Sequence, residues 1–126
     1  MIIGIGVDVI EVDRIRRVIE RQGNAFLRHV FTDSETSHAP DSATAAAAYY
    51  AGRWSAKEAV AKTLGTGIGE ACAWRDIEIV RWPSGQPSVQ LSGAAAKTAA
   101  KLGIKRIHLT ISHEKRLACA SAVAEK

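Results

Sequence analysis

Glu58 and Lys62 stand four residues apart in the stretch GRWSAKEAVAKTLGTGIG, residues 52 to 69, which is otherwise dominated by Ala, Val and Leu. On a helical period Trp54, Glu58 and Lys62 share one face. An exposed Glu–Lys pair on a helix is usually a weak surface contact, but here the neighbours are those of a buried helix. A carboxylate among such neighbours needs a partner, because unpaired burial is costly. A cation, a lysine, or both would serve. Asp8 poses the same problem from the other end of the chain, in MIIGIGVDVIEVDRI. It could cap the helix that follows, yet Asp13 or Glu11 could do that job as well, which leaves Asp8 without a structural duty. An Asp on a strand and a Glu on a buried helix can together make a two-carboxylate magnesium site, completed by waters and substrate phosphates.

The glycines of GTGIG follow Lys62 directly. Gly65 suits a helix C-cap. Gly67 and Gly69 go beyond that need and allow backbone to approach a ligand, often a phosphate. Because the C-terminal end of a helix is the negative end of its dipole, a phosphate there needs lysine help, and Lys57 and Lys62 are near in sequence. Ser112 and His113, in LTISHE, end a strand before a turn. They read either as a polar strand end or as a phosphate-binding pair. Arg14, Arg17 and Arg21 recur at three- and four-residue spacing and form a basic stripe on one helix face.

These residues need elements to hold them. IIGIGVDVI reads as a strand, with Gly4, Gly6 and Asp8 on one face and Ile3, Ile5 and Val7 on the other. The segment from Val12 to about Gln22 is an amphipathic helix, broken at Gly23 and Asn24 and resumed briefly after. TDSETSHAPDSAT is polar and contains Pro40, so it reads as a loop or short capped turn, the most flexible part of the chain. A long helix runs from about Thr44 to Leu64. AWRDIEIVRW and PSVQLSG are strands joined at PSGQP. SGAAAKTAAKLG is a short helix closed by Gly103, and RIHLTISHEKRLACASAVAE is two strands about a turn near Glu114. Strands and helices mix without strict alternation, which predicts an α+β fold with an antiparallel sheet packed with the long helix.

At 126 residues and 47 % hydrophobic, the chain suits one compact domain spanning 1–126. The formal charge of +4 favours acidic or phosphorylated partners without choosing among them. Basic residues are interspersed with acids and no base-stacking motif is visible, which argues against nucleic acid. The apolar N-terminus is short and carries Asp8, so it is neither signal peptide nor membrane span, and a cytoplasmic location is expected. Cys72 and Cys119 have no metal or redox spacing and read as buried free thiols. A non-catalytic module binding a nucleotide or an acidic protein would also suit the basic helix and glycine loop, but it has no use for two converging acids.

GIGVDVIEVDRI, VFTDSE, GRWSAKEAVAKTLGTGIG and LTISHE occur in that order and at fitting intervals. Together they closely resemble the bacterial holo-acyl-carrier-protein synthases, the small class of 4'-phosphopantetheinyl transferases. The resemblance implies a magnesium-dependent enzyme of fatty acid biosynthesis. It would move the phosphopantetheine arm of coenzyme A to a serine of apo acyl carrier protein and release adenosine 3',5'-bisphosphate. It implies a homotrimer with active sites between subunits. By the matched positions, Asp8 and Glu58 are metal ligands, with Glu58 and Lys62 catalytic. Arg53, Lys57, Lys62, Gly65, Thr66, Gly67, Ser112 and His113 surround the coenzyme, and Arg14, Arg17 and Arg21 receive the carrier. Two features depart from the family pattern: Trp54–Ser55 stand in place of Phe–Ala, and Thr36 to Ala43 match nothing. Larger relatives with an Asp-x-Glu pair fit poorly, since Ile10 occupies the second acid's place.

Overall fold

The computed structural model describes all residues, Met1–Lys126, as five strands and five helices. Strand β1 is Ile2–Glu11, followed by helices α1 (Val12–Gln22), α2 (Asn24–Val30), α3 (Asp33–Ser37) and α4 (Ala43–Thr63). A single 3-10 turn, Trp74–Asp76, leads into the hairpin β2 (Ile77–Arg81) and β3 (Pro87–Leu91). Helix α5 (Gly93–Leu102) and the hairpin β4 (Arg106–His113) and β5 (Leu117–Glu125) complete the chain. All pairing is antiparallel, in two sheets: β1-β5-β4 and β2-β3. The expected α+β class holds, with two sheets where one was foreseen.

The long helix is the axis of the molecule. Ser42 caps its start by accepting the amide of Ala45. From Tyr50 to Leu64 nearly every side chain is buried, because the helix is covered on most sides. One core cluster lies along its C-terminal half, with Val60, Leu64, Ile77 and Leu109. The other lies along its N-terminal half, with Phe26, Val30, Phe31 and Tyr50. Strand β5 explains the close fit. Its inward residues are all alanines, Ala118, Ala120, Ala122 and Ala124, and all are buried. Methyl groups keep the sheet close to the helix, and the paucity of aromatics becomes a packing requirement.

Strand β1 comes closer still. A Cβ on Gly6 would overlap the carbonyl oxygen of Ala59, and one on Gly4 that of Thr63. Only glycine lets the strand lie backbone-on-backbone against α4. The outward residues of β1, namely Ile5, Val7 and Val9, are 72, 63 and 62 % exposed.

The polar segment after Phe31 is more ordered than expected. Thr32 accepts from the amide of Glu35 at 3.2 Å while Glu35 accepts from the amide of Thr32 at 2.8 Å, a reciprocal capping box that starts α3. Cys72 is buried as expected, and burial pushes its thiol up to about 11. Cys119 is not buried: its side chain lies on the outer sheet face. In the native protein a thiol reagent at mildly alkaline pH should leave Cys72 unmodified by peptide mass mapping. Modification faster than global unfolding would contradict that burial.

Candidate active site

Between Tyr50 and Leu64 only three residues of the long helix reach the surface: Trp54, Glu58 and Lys62. They form one stripe at four-residue spacing, the face read from the sequence. The stripe runs beside β1, because Gly4 and Gly6 seat that strand on the helix backbone. Asp8, two residues beyond Gly6 on the same strand face, is thereby delivered to Glu58 and Lys62.

The Lys62 ammonium donates to the carbonyl of Val7 at 2.7 Å and lies 3.6 Å from Asp8 Oδ1. Its side chain is 48 % exposed, so donors remain for a ligand. Asp8 Oδ2 is buried with no hydrogen-bond partner, and an orphaned carboxylate oxygen of this kind calls for a cation. Glu58 is half-buried; burial first, and the Asp8 charge second, push its carboxyl above the usual range against the pull of Lys62. Two hard oxygen donors on converging carboxylates suit magnesium, which takes one or two carboxylates and completes its shell with water and phosphate. No group of three or more His, Cys, Asp or Glu side chains converges anywhere in the chain.

Helix α4 ends beside this stripe. Gly65 (φ 77°) and Gly67 (φ 66°) are in the left-handed region, so glycine is required at both. Gly67 donates to the Ala61 carbonyl at 3.2 Å, turning the loop back over the helix end. A Cβ at Gly69 would meet nothing within 4 Å, so that side of the loop is uncovered, while its amide and carbonyl are bonded to Cys72.

The other matched residues lie elsewhere. His113 is at the end of β4, and the register places it two strands from β1 and beyond the level of Asp8. Ser112 faces the opposite side of that sheet, paired with Cys119. Both are exposed. Arg53 is buried over the Tyr49 ring, 4.1 Å from its centroid, and its Nε has no partner. It lines a cavity of about 300 Å³ with His38, Tyr49 and Arg81. This single chain does not bring Arg53, Ser112 and His113 to the Asp8–Glu58–Lys62 stripe.

Lys57 requires a correction. Sequence matching put it against the coenzyme, whereas it is fully buried on another face of α4 and paired with Glu35 at 2.7 Å. The segment around Glu35 reads as a loop or short capped turn, the capped turn is what forms, and Glu35 was not singled out within it. The pattern Thr32-x-x-Glu35 after the apolar Val30–Phe31 is the signal that marks it. Trp54 keeps its place on the stripe but packs between Phe26 and Trp74, at 5.9 and 4.2 Å between ring centroids. In α1, Arg14 and Arg21 are exposed without ion-pair partners. Arg17 pairs with Asp13 at 2.8 Å, so the free stripe is narrower than its spacing suggested.

The chain is similar to known proteins in sequence and in fold. A family model described as 4'-phosphopantetheinyl transferase superfamily matches residues 4–121. A holo-[acyl-carrier-protein] synthase of Methylobacterium radiotolerans is 43 % identical over 129 aligned residues, covering 99 % of this chain and 94 % of the relative. Among solved structures, a holo-[acyl-carrier-protein] synthase of Neisseria meningitidis superposes with a TM-score of 0.91 at 37 % identity, covering both chains fully. One of Helicobacter pylori, solved in complex with coenzyme A, gives 0.83 at 29 % identity, covering 96 % of this chain and 99 % of that one.

Proposed function

The chain belongs to the 4'-phosphopantetheinyl transferase superfamily, and from that premise we propose that residues 1–126 form one holo-acyl-carrier-protein synthase domain. It transfers the phosphopantetheine arm of coenzyme A to a serine of apo acyl carrier protein, a step that equips the carrier for fatty acid biosynthesis. The observation that carries this reading is the open stripe on an otherwise buried helix, where Glu58 and Lys62 face a carboxylate oxygen of Asp8 left without a partner. A module that only bound a nucleotide would have no use for that unpaired acid.

In the reaction the carrier serine oxygen attacks the phosphate that bears pantetheine. The new serine–phosphate bond forms as the bond to adenosine 3',5'-bisphosphate breaks, and the serine proton passes to Glu58 or to a water it orients. Such transfers need positioning and charge neutralisation more than covalent chemistry. Asp8 and Glu58 would hold magnesium, whose charge offsets that of the pyrophosphate. Lys62 presents its free donors to the transferred phosphate. The Gly65–Gly69 loop, with Thr66, receives the coenzyme on its uncovered side. The test is release of adenosine 3',5'-bisphosphate from coenzyme A that requires apo carrier. Release without carrier would identify a hydrolase instead.

The separation of Arg53, Ser112 and His113 from the stripe supports an active site completed by a second copy, in which these residues meet the coenzyme held by a neighbour. The outer sheet face supports the same reading. Ile5, Val7 and Val9 lie beside Val123, Ser121 and Cys119 and make a largely apolar surface that needs cover. We assign it to a homotrimer. Val7→Asp should yield monomers by sedimentation and lose transfer activity. A monomeric variant with full activity would refute an inter-subunit site.

The carrier is acidic in this reading, and it docks on α1 near Asp8. Long-range charge contacts act mainly on association and are screened by salt. Arg14→Glu should therefore raise the carrier KM by about tenfold and leave the coenzyme A KM unchanged. The reverse pattern would place Arg14 in the coenzyme site. No helix is long and apolar enough to cross a membrane.

A further inference from the structure

The most deeply buried charged side chains in the molecule are Lys57 and Glu35, and neither is reached by a ligand. An ammonium has three donors. Those of Lys57 go to Glu35 Oε1 at 2.7 Å, to the carbonyl of Val30 at 2.8 Å and to the carbonyl of Trp74 at 3.1 Å. Glu35 is equally committed. Its Oε1 also accepts the Thr32 amide at 2.8 Å, and its Oε2 accepts the Ile79 amide at 2.8 Å. No Lys57 donor is left for a coenzyme phosphate.

The partners show what the pair does. Val30 ends α2, Glu35 lies in α3, Ile79 is in β2, and Trp74 opens the 3-10 turn. Trp74 is also where the segment that begins with the glycine loop stops. Its near end is fastened to α4 by Gly65 donating to Lys62 O at 3.0 Å and Gly67 to Ala61 O at 3.2 Å. Its middle is tied by the mutual bonds of Gly69 and Cys72, at 2.9 and 3.2 Å. Its far end is fastened to the same helix through Lys57, the residue next to Glu58. The loop is thus a strap with both ends on α4. The anchored Trp74 also packs its ring against Trp54, on the open stripe.

We propose that Lys57 and Glu35 are a positioning pair, which sets the glycine strap and the Trp54–Trp74 wall in register with Glu58 so that the coenzyme finds a formed site. The inference rests on the reading that the strap receives coenzyme A. Buried ion pairs are poor sources of stability, and an apolar replacement of both partners is often neutral or stabilising. Here four backbone groups also depend on the pair, so melting temperature is measured beside activity to separate loss of position from loss of fold.

The experiment compares wild type with the double variant Glu35→Met/Lys57→Met by melting temperature, steady-state transfer and amide hydrogen exchange. The expected result is a double variant that still folds but melts lower, because the Thr32 and Ile79 amides and the Val30 and Trp74 carbonyls lose their partners, with faster exchange at Gly67, Gly69 and Cys72 and β5 unaffected. The KM for coenzyme A should rise about tenfold while that for the carrier stays within twofold. A folded double variant with wild-type coenzyme A KM and loop exchange would overturn the proposal. If the double variant does not fold, Glu35→Gln carries the test. It keeps the shape and leaves the coenzyme untouched, and it should show the same split between the two KM values. An unchanged coenzyme A KM there would also overturn it. A wild-type protein without transfer activity would refute the proposed function instead, and the exchange of the strap would still decide the role of the pair.

Discussion

Asp8→Asn and Glu58→Gln should each lower the rate of transfer by about 10³-fold, the order expected when one group that organises transition-state charge is lost. Both substitutions keep the shape of the side chain and remove its charge. Asp8 Oδ2 has no partner in the fold and Glu58 is held at an elevated pKa by burial and by Asp8. Removing either charge therefore relieves the repulsion between the two acids, at the cost of a partly exposed contact with Lys62 that is worth little. The variants should melt at or above the wild-type temperature, which separates a catalytic loss from unfolding. The loss should also be insensitive to saturating coenzyme A, because the missing stabilisation belongs to the transition state. Rates within tenfold of wild type in either variant would remove the two acids from the centre of the reaction.

Gly6→Ala should be the most damaging single methyl group in the molecule. Its Cβ would overlap the Ala59 carbonyl, which is backbone in the middle of a buried helix and has nowhere to go. Overpacking of this kind costs about 3 kcal/mol, or roughly 10 °C in melting temperature for a chain of this size. The strand can relieve the clash only by lifting off α4, and that moves Asp8 away from Glu58 and Lys62. Activity should fall with stability. Gly69→Ala is the control: nothing lies within 4 Å of its Cβ and its φ is not in the left-handed region. It should change stability by less than about 0.5 kcal/mol. Equal melting temperatures for the two variants would show that β1 does not rest on the helix backbone.

The stripe of Trp54, Glu58 and Lys62 was legible in the sequence because helical period alone fixes which residues share a face. The isolation of Asp8 was legible too, since Glu11 and Asp13 offered themselves equally as caps; the Glu11 side chain makes no cap bond. Two helix ends followed from Gly23 and Gly65, whose local chemistry does not depend on the rest of the fold. What the sequence concealed were contacts made across it. Nothing local to Lys57 says that Glu35, Val30 and Trp74 will surround it, and its neighbour Glu58 made a coenzyme contact look natural. Glu35 was hidden by a polar composition that suggested a loop, although its capping box was written there. Arg17 looked free because its spacing to Arg14 was weighed and its spacing to Asp13 was not. The exposure of Cys119 follows from register: β5 alternates alanines inward with Leu117, Cys119 and Ser121 outward, a pattern that takes meaning only once α4 is known to lie on the alanine side.

The most direct measurement weighs the carrier. Purified protein, coenzyme A and magnesium are incubated with an apo acyl carrier protein, and the intact carrier is examined by mass spectrometry. The account predicts that the carrier gains the mass of one phosphopantetheine. It also predicts that the gain maps to a single serine, disappears when that serine is alanine, and is lost with the Asp8→Asn protein. A carrier whose mass does not change in the presence of the wild-type protein would contradict it.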